Sequence, residues 1–523
     1  MRQDGFEAVA NIVRKRQFKY ILIAEGAVIG LITGVLVSAF RLLLMWADEL
    51  RGMLAEYTGA GGLVCILVLA AVSIAVSILL RWEPDIAGSG IPQVEAELRG
   101  MKDMKWWRVI AAKMAGCALA IGGGLALGRE GPSIQLGAMV GKGFARTGHR
   151  LLTEERLLVT CGAGAGLSAA FGAPLAGAIF SLEELHRNFS GEVLLTTMAA
   201  SAAGDFIAAN ILGLEPVFGF EIEHGLPLRY YWAVIALGLI LGLFGFVYNR
   251  TIDVMQDVFE KIGKLGGDVF TRMFVIFAAS CALFFIYPDV LGSGAGLALS
   301  ISRGEFALKA LAVLLIVKFV FSTASFGSGA PGGIFLPLLV LGAITGGLIC
   351  RLLGLAGFDQ TYIDAFVVIS MAGMFAAIVR APVTGVVLIT EMTGDFTTLL
   401  PLVVASLVAY VVAESLGAKP IYTQLMQKSM GKGRNTNRSM LLRDRKTVID
   451  AEVNVGSYMD GRRVSEFGLP LGTLIVSVLR DGSEIIPDGN TILRAGDELE
   501  ILTREADLAD AEDIIDNACG VID

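Results

Sequence analysis

Long apolar segments are the feature that most constrains how this chain can fold. Between residues 18 and 416 they follow one another closely, and they include residues 21–40, 64–80, 109–127, 232–247, 273–286, 308–321 and 399–412. Several approach the roughly 20 residues that a helix needs to cross a hydrocarbon core. Hydrophobic residues make up 54% of the chain, more than a soluble protein could cover. We therefore expect an all-α polytopic membrane protein.

Some apolar segments look too short to cross a membrane. Residues 157–171 and 174–182 are examples, and the chain contains 64 glycines, which favour close helix packing and broken helices. A helix that stops within the membrane is tolerated only where protein buries its end.

Basic residues flank the apolar region on both sides. Arg14, Lys15, Arg16 and Lys19 precede the first span, and seven lysines and arginines lie between residues 428 and 446. Positively charged segments stay cytoplasmic, and no cleavable signal peptide is apparent. We expect a multi-pass protein of the cell membrane with both termini in the cytoplasm and an even number of crossings.

The apolar region contains an internal repeat. Residues 84–90 (PDIAGSG) resemble residues 288–294 (PDVLGSG), 204 positions later. Residues 173–177 (APLAG) are followed by Glu183, just as residues 381–385 (APVTG) are followed by Glu391, 208 positions later. Repeats in membrane proteins usually face each other across a site near the bilayer midplane. The pattern leaves open whether the two copies are inverted.

The chain changes character near residue 440. Residues 464–469, 474–478 and 499–502 read as short strands, and residues 481–482, 488–489 and 495–497 read as turns. We predict a transmembrane domain over residues 1–425, a basic linker over 426–446 and a small cytoplasmic α+β domain over 447–523.

Three Gly- and Pro-rich stretches interrupt the apolar sequence. They are residues 88–92 (GSGIP), 128–132 (GREGP) and 333–337 (GIFLP). Proline is favoured in the first turn of a helix, where N–H groups lack partners and the helix dipole is positive. Three such helix starts at membrane depth predict an anion site without full positive charge. The alternative is that they are surface loops.

Ionisable residues inside a membrane are candidates for function. Glu130 stands at a predicted helix start, where its carboxylate could occupy the pocket of an anion until it is protonated. Lys113 lies in an apolar stretch, and Glu183 and Glu184 end another. Adjacent helix residues face different directions, so we expect one of this pair to face protein and the other a water-accessible surface. Each could instead be an ordinary interfacial charge.

Other motifs carry no chemistry. Residues 327–332 fit a GxGxxG pattern but follow a membrane-length apolar run, and residues 137–142 lack the spacing of a P-loop. The three histidines show no ligand spacing. We predict no cofactor, no metal site, no nucleic-acid partner and no enzymatic activity.

Over residues 15–425 the chain resembles the CLC family of chloride channels and transporters, because all three stretches match the family's motifs in order. The resemblance implies that Ser89, the N–H groups of Ile334 and Phe335, and the Tyr422 hydroxyl bind chloride. It makes Glu130 the external gating glutamate and Glu184 the internal proton glutamate. The supporting residues are Lys113, Gly90, Gly128 and Gly333. Family members are homodimers whose halves are inverted repeats.

The segment at residues 447–510 resembles the RCK C-terminal (TrkA-C) domain, a regulatory module of potassium transport systems. The resemblance rests on Gly461 to Val464, Ile485 to Pro487 and Ala495 to Asp497. Such a domain implies regulation, with an unidentified small ligand possible.

We predict a homodimeric chloride/proton antiporter. A passive chloride channel is the nearest alternative, and Glu184 is the residue that separates the two. A potassium-transport subunit is disfavoured because no TVGYG-like filter is present. An intramembrane enzyme is disfavoured by the absence of a nucleophile–base set.

Overall fold

The computed structural model describes residues 2–56, 62–186, 191–214, 218–220, 225–266, 268–432, 446–469, 472–480, 483–504, 511, 514–515 and 518–519. Most of the predicted linker and the turn predicted at residues 481–482 lie outside these ranges, as do the side chains of the N-terminal basic cluster. The chain divides into two compact units, at residues 1–427 and 428–523.

The described secondary structure of the first unit is helical, apart from an isolated bridge between Gly128 and Gly333. Its helices are α1 (Arg2–Glu56), α2 (Gly62–Trp82), α3 (Ile91–Leu98), α4 (Trp106–Gly122), α5 (Glu130–Thr147), α6 (Leu152–Phe171), α7 (Pro174–Phe180), α8 (Gly191–Leu212), α9 (Tyr231–Gly266), α10 (Val269–Ile286), α11 (Ala295–Ser302), α12 (Leu308–Gly327), α13 (Phe335–Gly354), α14 (Ile363–Val379), α15 (Pro382–Thr393), α16 (Leu399–Ser415) and α17 (Ile421–Lys432). Within the described residues, eight helical segments are long and apolar enough to cross a membrane.

The internal repeat is visible as a repeated order of elements. A short 3₁₀ turn and an eight-residue helix begin each copy, at Pro84–Ile86 with α3 and at Pro288–Val290 with α11. A longer helix follows, α4 or α12, and then the helix that begins at a glycine-rich motif, α5 or α13. A long helix and a short proline-initiated helix complete each copy, as α6 with α7 and α14 with α15.

Glycines allow helices to approach closely inside the bundle. A side chain at Gly30 of α1 would collide with the Ala200 carbonyl of α8, and one at Gly137 of α5 would collide with the Gly162 carbonyl of α6. Close backbone approach through small residues is a common way of packing membrane helices. It stacks α5 firmly on α6 and so fixes the direction of the helix that begins with Glu130.

Two apolar runs differ from the helices that contain them. The run at residues 109–127 outlasts α4, because Gly123 ends that helix and Gly124 takes a positive φ of 87°. Residues 157–171, expected to be short, belong to α6, which is 20 residues long because polar residues form its first turn. The segment at 174–182 is indeed short: α7 has seven residues and passes into a π-helical turn at Ser181–His186.

The second unit contains a four-stranded antiparallel sheet in the order β1-β4-β2-β3, with β1 (Lys446–Glu452), β2 (Leu474–Arg480), β3 (Ser483–Ile485) and β4 (Glu498–Arg504). The predictions at 474–478 and 499–502 are confirmed. The strand predicted at 464–469 is wrong, because Val464–Glu466 forms a 3₁₀ turn. The preceding residue, Arg463, makes an isolated bridge to Ile492. The apolar residues of the segment, Val464, Phe467 and Leu469, pack onto the core from a loop.

Candidate functional site

The three glycine-rich motifs all become helix starts. Gly90 is the N-cap of α3 with a φ of 96°, a left-handed conformation that favours glycine. Arg129 is the N-cap of α5 and Ile334 is the N-cap of α13. Each motif proline lies in the first turn of its helix, where the missing N–H is not needed.

Backbone hydrogen bonds bring these helix starts together. Gly128 and Gly333 exchange two bonds of 2.7 Å as an isolated antiparallel pair, and Gly332 N–H donates to the Gly88 carbonyl at 3.0 Å. A side chain at Gly131 would lie 2.7 Å from the Ser89 carbonyl oxygen. Motifs more than 200 residues apart therefore meet in one buried place.

Glu130 is the first residue of α5 and is completely buried. Its Oε2 atom accepts the N–H of Leu336 in α13 at 3.4 Å, a long bond. Its Oε1 atom has no hydrogen-bond partner among the described residues. A side chain at Gly128 would collide with this carboxylate, so that glycine provides the room in which Glu130 lies.

Ser89 keeps a donor available. Its side chain is 1% exposed and its Oγ atom accepts the Ile91 N–H at 3.2 Å, while the described residues offer no acceptor for its own hydroxyl hydrogen. Lys113 is fully buried and donates to the carbonyls of Ile86 and Gly88 at 2.9 and 2.7 Å. Lys113 therefore holds the turn that presents Ser89.

The start of α13 offers backbone donors. Ile334 and Phe335 are buried, and their N–H groups donate no hydrogen bond within the described part of the chain. The Phe335 ring packs against Phe375 with ring centroids 4.7 Å apart and against Phe171 at 5.3 Å. These rings fix the first turn of α13 and keep the surroundings of its free donors apolar.

Tyr422 lies in the first turn of α17 and is completely buried. Its hydroxyl has no hydrogen-bond partner among the described residues, although a buried hydroxyl normally has one. Glu130 and Glu184 both lie close enough for their charges to act on it. Tyr422 thus lies within electrostatic range of both carboxylates that the sequence singled out.

Glu183 and Glu184 have different surroundings. Glu183 is half-buried and caps the start of α15, accepting the Thr384 N–H at 2.8 Å and the Val383 N–H at 3.3 Å. Glu184 is 4% exposed. Glu184 is therefore enclosed by protein, whereas Glu183 is partly exposed and is held by the start of α15.

Two buried polar residues of this region were missed from the sequence. Lys318 of α12 donates to the carbonyls of Val290 and Gly292 at 2.8 and 3.0 Å, as Lys113 does in the first repeat. The repeat offset applied to Lys113 would have found it. Tyr248 of α9 is fully buried with an unpartnered hydroxyl among the described residues, and nothing in the sequence distinguishes it from a core aromatic residue.

Comparison with known families finds two matches. The family described as voltage gated chloride channel matches residues 71–414. The TrkA-C domain matches residues 448–516.

Individual relatives are named as chloride transporters, in agreement with the chloride channel family. The H(+)/Cl(-) exchange transporter ClcA of Klebsiella pneumoniae (strain 342) is 32% identical over 444 residues, which cover 82% of this chain and 92% of the relative. ClcA of Vibrio parahaemolyticus serotype O3:K6 is 33% identical over 443 residues, covering 81% and 93%.

Solved structures are similar too. The crystal structure of a slow cyanobacterial Cl-/H+ antiporter superposes with a TM-score of 0.73 at 32% identity, covering 79% of this chain and 98% of that one. A eukaryotic CLC transporter, at 21% identity and a TM-score of 0.67, shares the fold. It covers 79% of this chain and 75% of that one.

Proposed function

This chain belongs to the voltage-gated chloride channel family, and we propose that it is an antiporter that moves chloride across a membrane in exchange for protons. The observation that carries the proposal is the meeting of three helix starts around the buried carboxylate of Glu130. Relatives named as H(+)/Cl(-) exchange transporters and the structure of a Cl-/H+ antiporter support exchange over passive conduction.

We assign the chloride site to donors that have no acceptor within the described part of the chain. Ser89 and Tyr422 offer hydroxyl groups, and Ile334 and Phe335 offer N–H groups at the positive end of α13. None of these donors carries a full charge. A site of partial charges can bind an anion and still release it, which transport requires.

Glu130 is assigned as the gate. Its carboxylate accepts the N–H of Leu336, two residues after Ile334, so carboxylate and chloride compete for donors of one helix start. The 3.4 Å length of that bond and the unpartnered Oε1 atom leave the side chain loosely held. Protonation removes the negative charge that the donors attract and frees the site for chloride.

Glu184 is assigned as the inner proton carrier. It is a second buried carboxylate whose charge, like that of Glu130, acts on Tyr422. A proton that enters through Glu184 can therefore reach Glu130 past the region of Tyr422, while Ser89 and α13 hold the anion. A channel would need no second carboxylate, so this residue separates the antiporter from the passive chloride channel.

The deciding experiment measures proton uptake by proteoliposomes under a chloride gradient, with chloride flux recorded in parallel. Wild-type protein should move protons against their gradient, and Glu184→Gln should abolish proton movement while chloride still crosses. Glu183→Gln is the matched control: it weakens a helix cap and should retain coupling. Wild-type protein that passes chloride without moving protons would establish a channel.

The remaining assignments complete the proposal. The protein works as a homodimer in the cell membrane with both termini in the cytoplasm, and it is a transporter rather than an enzyme. Residues 1–425 form the transport domain, 426–446 a basic linker and 447–523 the regulatory domain. The TrkA-C match supports the regulatory role, and a small cytoplasmic molecule is the proposed ligand.

A further inference from the structure

Residues from much later in the chain form hydrogen bonds with the loop that leads into Glu130. We call residues 123–130 the gate loop. Ser280 of α10 donates through Oγ to the Gly123 carbonyl at 2.8 Å, and Ser325 of α12 accepts the Ala126 N–H at 3.3 Å. The pair between Gly128 and Gly333 closes the loop just before Glu130. The position of the gate therefore depends on contacts that lie far away in sequence.

Lys318 anchors a further support of the gate loop. Gly292 donates its N–H to the Gly124 carbonyl at 3.0 Å. The carbonyl of the same Gly292 accepts a bond of 3.0 Å from Lys318 Nζ, which also donates to Val290 at 2.8 Å. Lys318 thus fixes both ends of the turn that touches the gate loop.

A buried lysine at this position lowers the stability of the fold unless its hydrogen-bond donors are needed. Lys318 is 0% exposed, and no carboxylate forms an ion pair with it in the part of the chain that the structure describes. The described charge that acts on it is that of Arg51, which has the same sign. An apolar side chain would fill the same space without burying an amine.

The pseudo-equivalent Lys113 has a parallel arrangement. It binds Gly88, whose carbonyl accepts the N–H of Gly332 in the second repeat. Each lysine therefore holds a turn that is bonded to the glycine-rich loop of the other repeat. Lys113 presents Ser89 of the proposed anion site, whereas Lys318 reaches the gate loop.

We propose that Lys318 is a positioning residue of the gate: it holds the 290–292 turn, which keeps the gate loop and hence Glu130 where the carboxylate can alternate with chloride. It acts through the backbone and does not touch the transported ion. This inference rests on the proposed function, because it needs Glu130 to be the gate.

The test compares Lys318→Met in two backgrounds, using purified full-length protein in proteoliposomes. In the otherwise wild-type protein, a displaced gate should lower the number of protons moved per chloride by about threefold, a size typical of changes along a coupling network. In Glu130→Gln no gate remains, so Lys318→Met should leave the uncoupled chloride flux unchanged. An unchanged coupling ratio, or an equal loss of flux in both backgrounds, would overturn the proposal.

Two further variants serve as a control and as a second test of the gate loop. Lys309→Met, on the exposed side of the same α12, should change neither flux nor coupling. Ser280→Ala removes one bond to the gate loop without changing the core, and it should lower coupling in the same direction by less. If Lys318→Met does not fold, unchanged coupling in Ser280→Ala overturns the proposal. Coupling that survives in Glu130→Gln alone would refute the gate itself.

Discussion

Single polar residues in this protein are distinguished by the hydrogen bonds they do not make. Glu130, Tyr422 and Ser89 are each buried, and each keeps a donor or acceptor without a partner among the described residues. A buried donor or acceptor without a hydrogen-bond partner lowers stability by about 1–3 kcal/mol. We propose that chloride is the missing acceptor for the Ser89 and Tyr422 hydroxyl groups and that a proton is the missing partner of the Glu130 carboxylate.

The first residue-scale prediction concerns Glu130. Glu130→Gln removes the charge that competes with chloride while keeping the shape of the side chain. Chloride flux should persist, proton coupling should vanish and the dependence of flux on pH should flatten. Paired chloride and pH electrodes on proteoliposomes measure all three. Full proton coupling in the variant would mean that carboxylate and chloride do not share a site.

A second residue-scale prediction concerns selectivity at Ser89. Ser89→Pro removes the hydroxyl donor and the acceptor of the Ile91 N–H, so chloride loses a contact. The resemblance to the CLC family implies that members with proline at this position prefer nitrate, so nitrate flux should rise relative to chloride flux. The ratio is read from anion efflux with each salt in turn. An unchanged ratio in folded protein would remove Ser89 from the binding site.

At the scale of elements, α7 and α15 cap each other. Glu183 accepts N–H groups at the start of α15, and Glu391 at the end of α15 accepts those of Leu175 and Ala176 at the start of α7, at 3.0 and 2.8 Å. The carboxylates also meet the positive ends of the helix dipoles. The repeat seen in sequence thus becomes a reciprocal contact between two short helices.

Glu391→Ala should destabilise the membrane unit by about 1 kcal/mol, the usual effect of losing a helix cap. The expected readout is a lower melting temperature of the detergent-solubilised protein with unchanged proton coupling, because the cap touches neither the proposed ion site nor Glu184. Glu305→Ala is the control, because Glu305 is exposed between α11 and α12 and its side chain makes no ion pair within the described part of the chain. A loss of coupling without a loss of stability would give Glu391 a role in transport.

The sheet of the second unit depends on a buried ion pair. Asp497 accepts two bonds from Arg480, at 2.7 and 2.6 Å, and the Arg494 N–H at 2.7 Å. Burial alone would raise the pKa of Asp497, but the bonds from Arg480 and from the Arg494 backbone outweigh it and lower the pKa below its usual value. Its contribution to stability is present above the unfolded pKa of about 3.9 and is lost as the pH falls through the lower folded pKa.

Asp497→Asn should therefore destabilise this unit by about 2 kcal/mol at pH 7, the size typical of lost hydrogen bonds to a charged group. The difference from wild type should shrink as the pH falls below about 3.9, since the wild-type carboxyl then becomes protonated as well. Hydrogen exchange of β4 amides in the full-length protein reports the effect. Asp450→Asn, on exposed β1, should exchange like wild type. If the variant and the wild type differed in stability by the same amount at pH 7 and below about pH 3.9, the ion-pair explanation would be contradicted.

The whole molecule combines two units with separate cores. The residues proposed to bind chloride and carry protons all precede residue 428, where the first unit ends. The second unit has its own buried cluster around Val478, Leu499 and Ile501. Transport and regulation are therefore expected to be separable.

Truncation after Gln427 should leave chloride flux measurable while changing its rate or its response to a cytoplasmic ligand. Flux and coupling are compared with those of the full-length protein, and size-exclusion chromatography checks that the truncated protein remains a dimer. Complete loss of flux in a folded, dimeric truncation would show that the second unit is required for transport itself.

Much of the architecture follows from the sequence alone. Runs of apolar residues, prolines in first turns and glycines at positive φ act within a few residues, so the membrane helices and the three helix starts at residues 91, 130 and 335 were predictable. The segment that begins at Val464 was misread as a strand, because a few apolar residues in a short segment suit a loop that packs on a core as well as a strand.

Only the tertiary structure could decide which residues meet. The pairing of Gly128 with Gly333 and the capping of α15 by Glu183 are contacts across about 200 positions. Lys318 supports the loop before Glu130 through Gly292, whose N–H reaches Gly124 in the other repeat. Local patterns state that a helix start needs an acceptor but not which residue provides it. The acceptor is chosen by how the two repeats pack against each other, because close packing through glycines leaves one arrangement of their backbones.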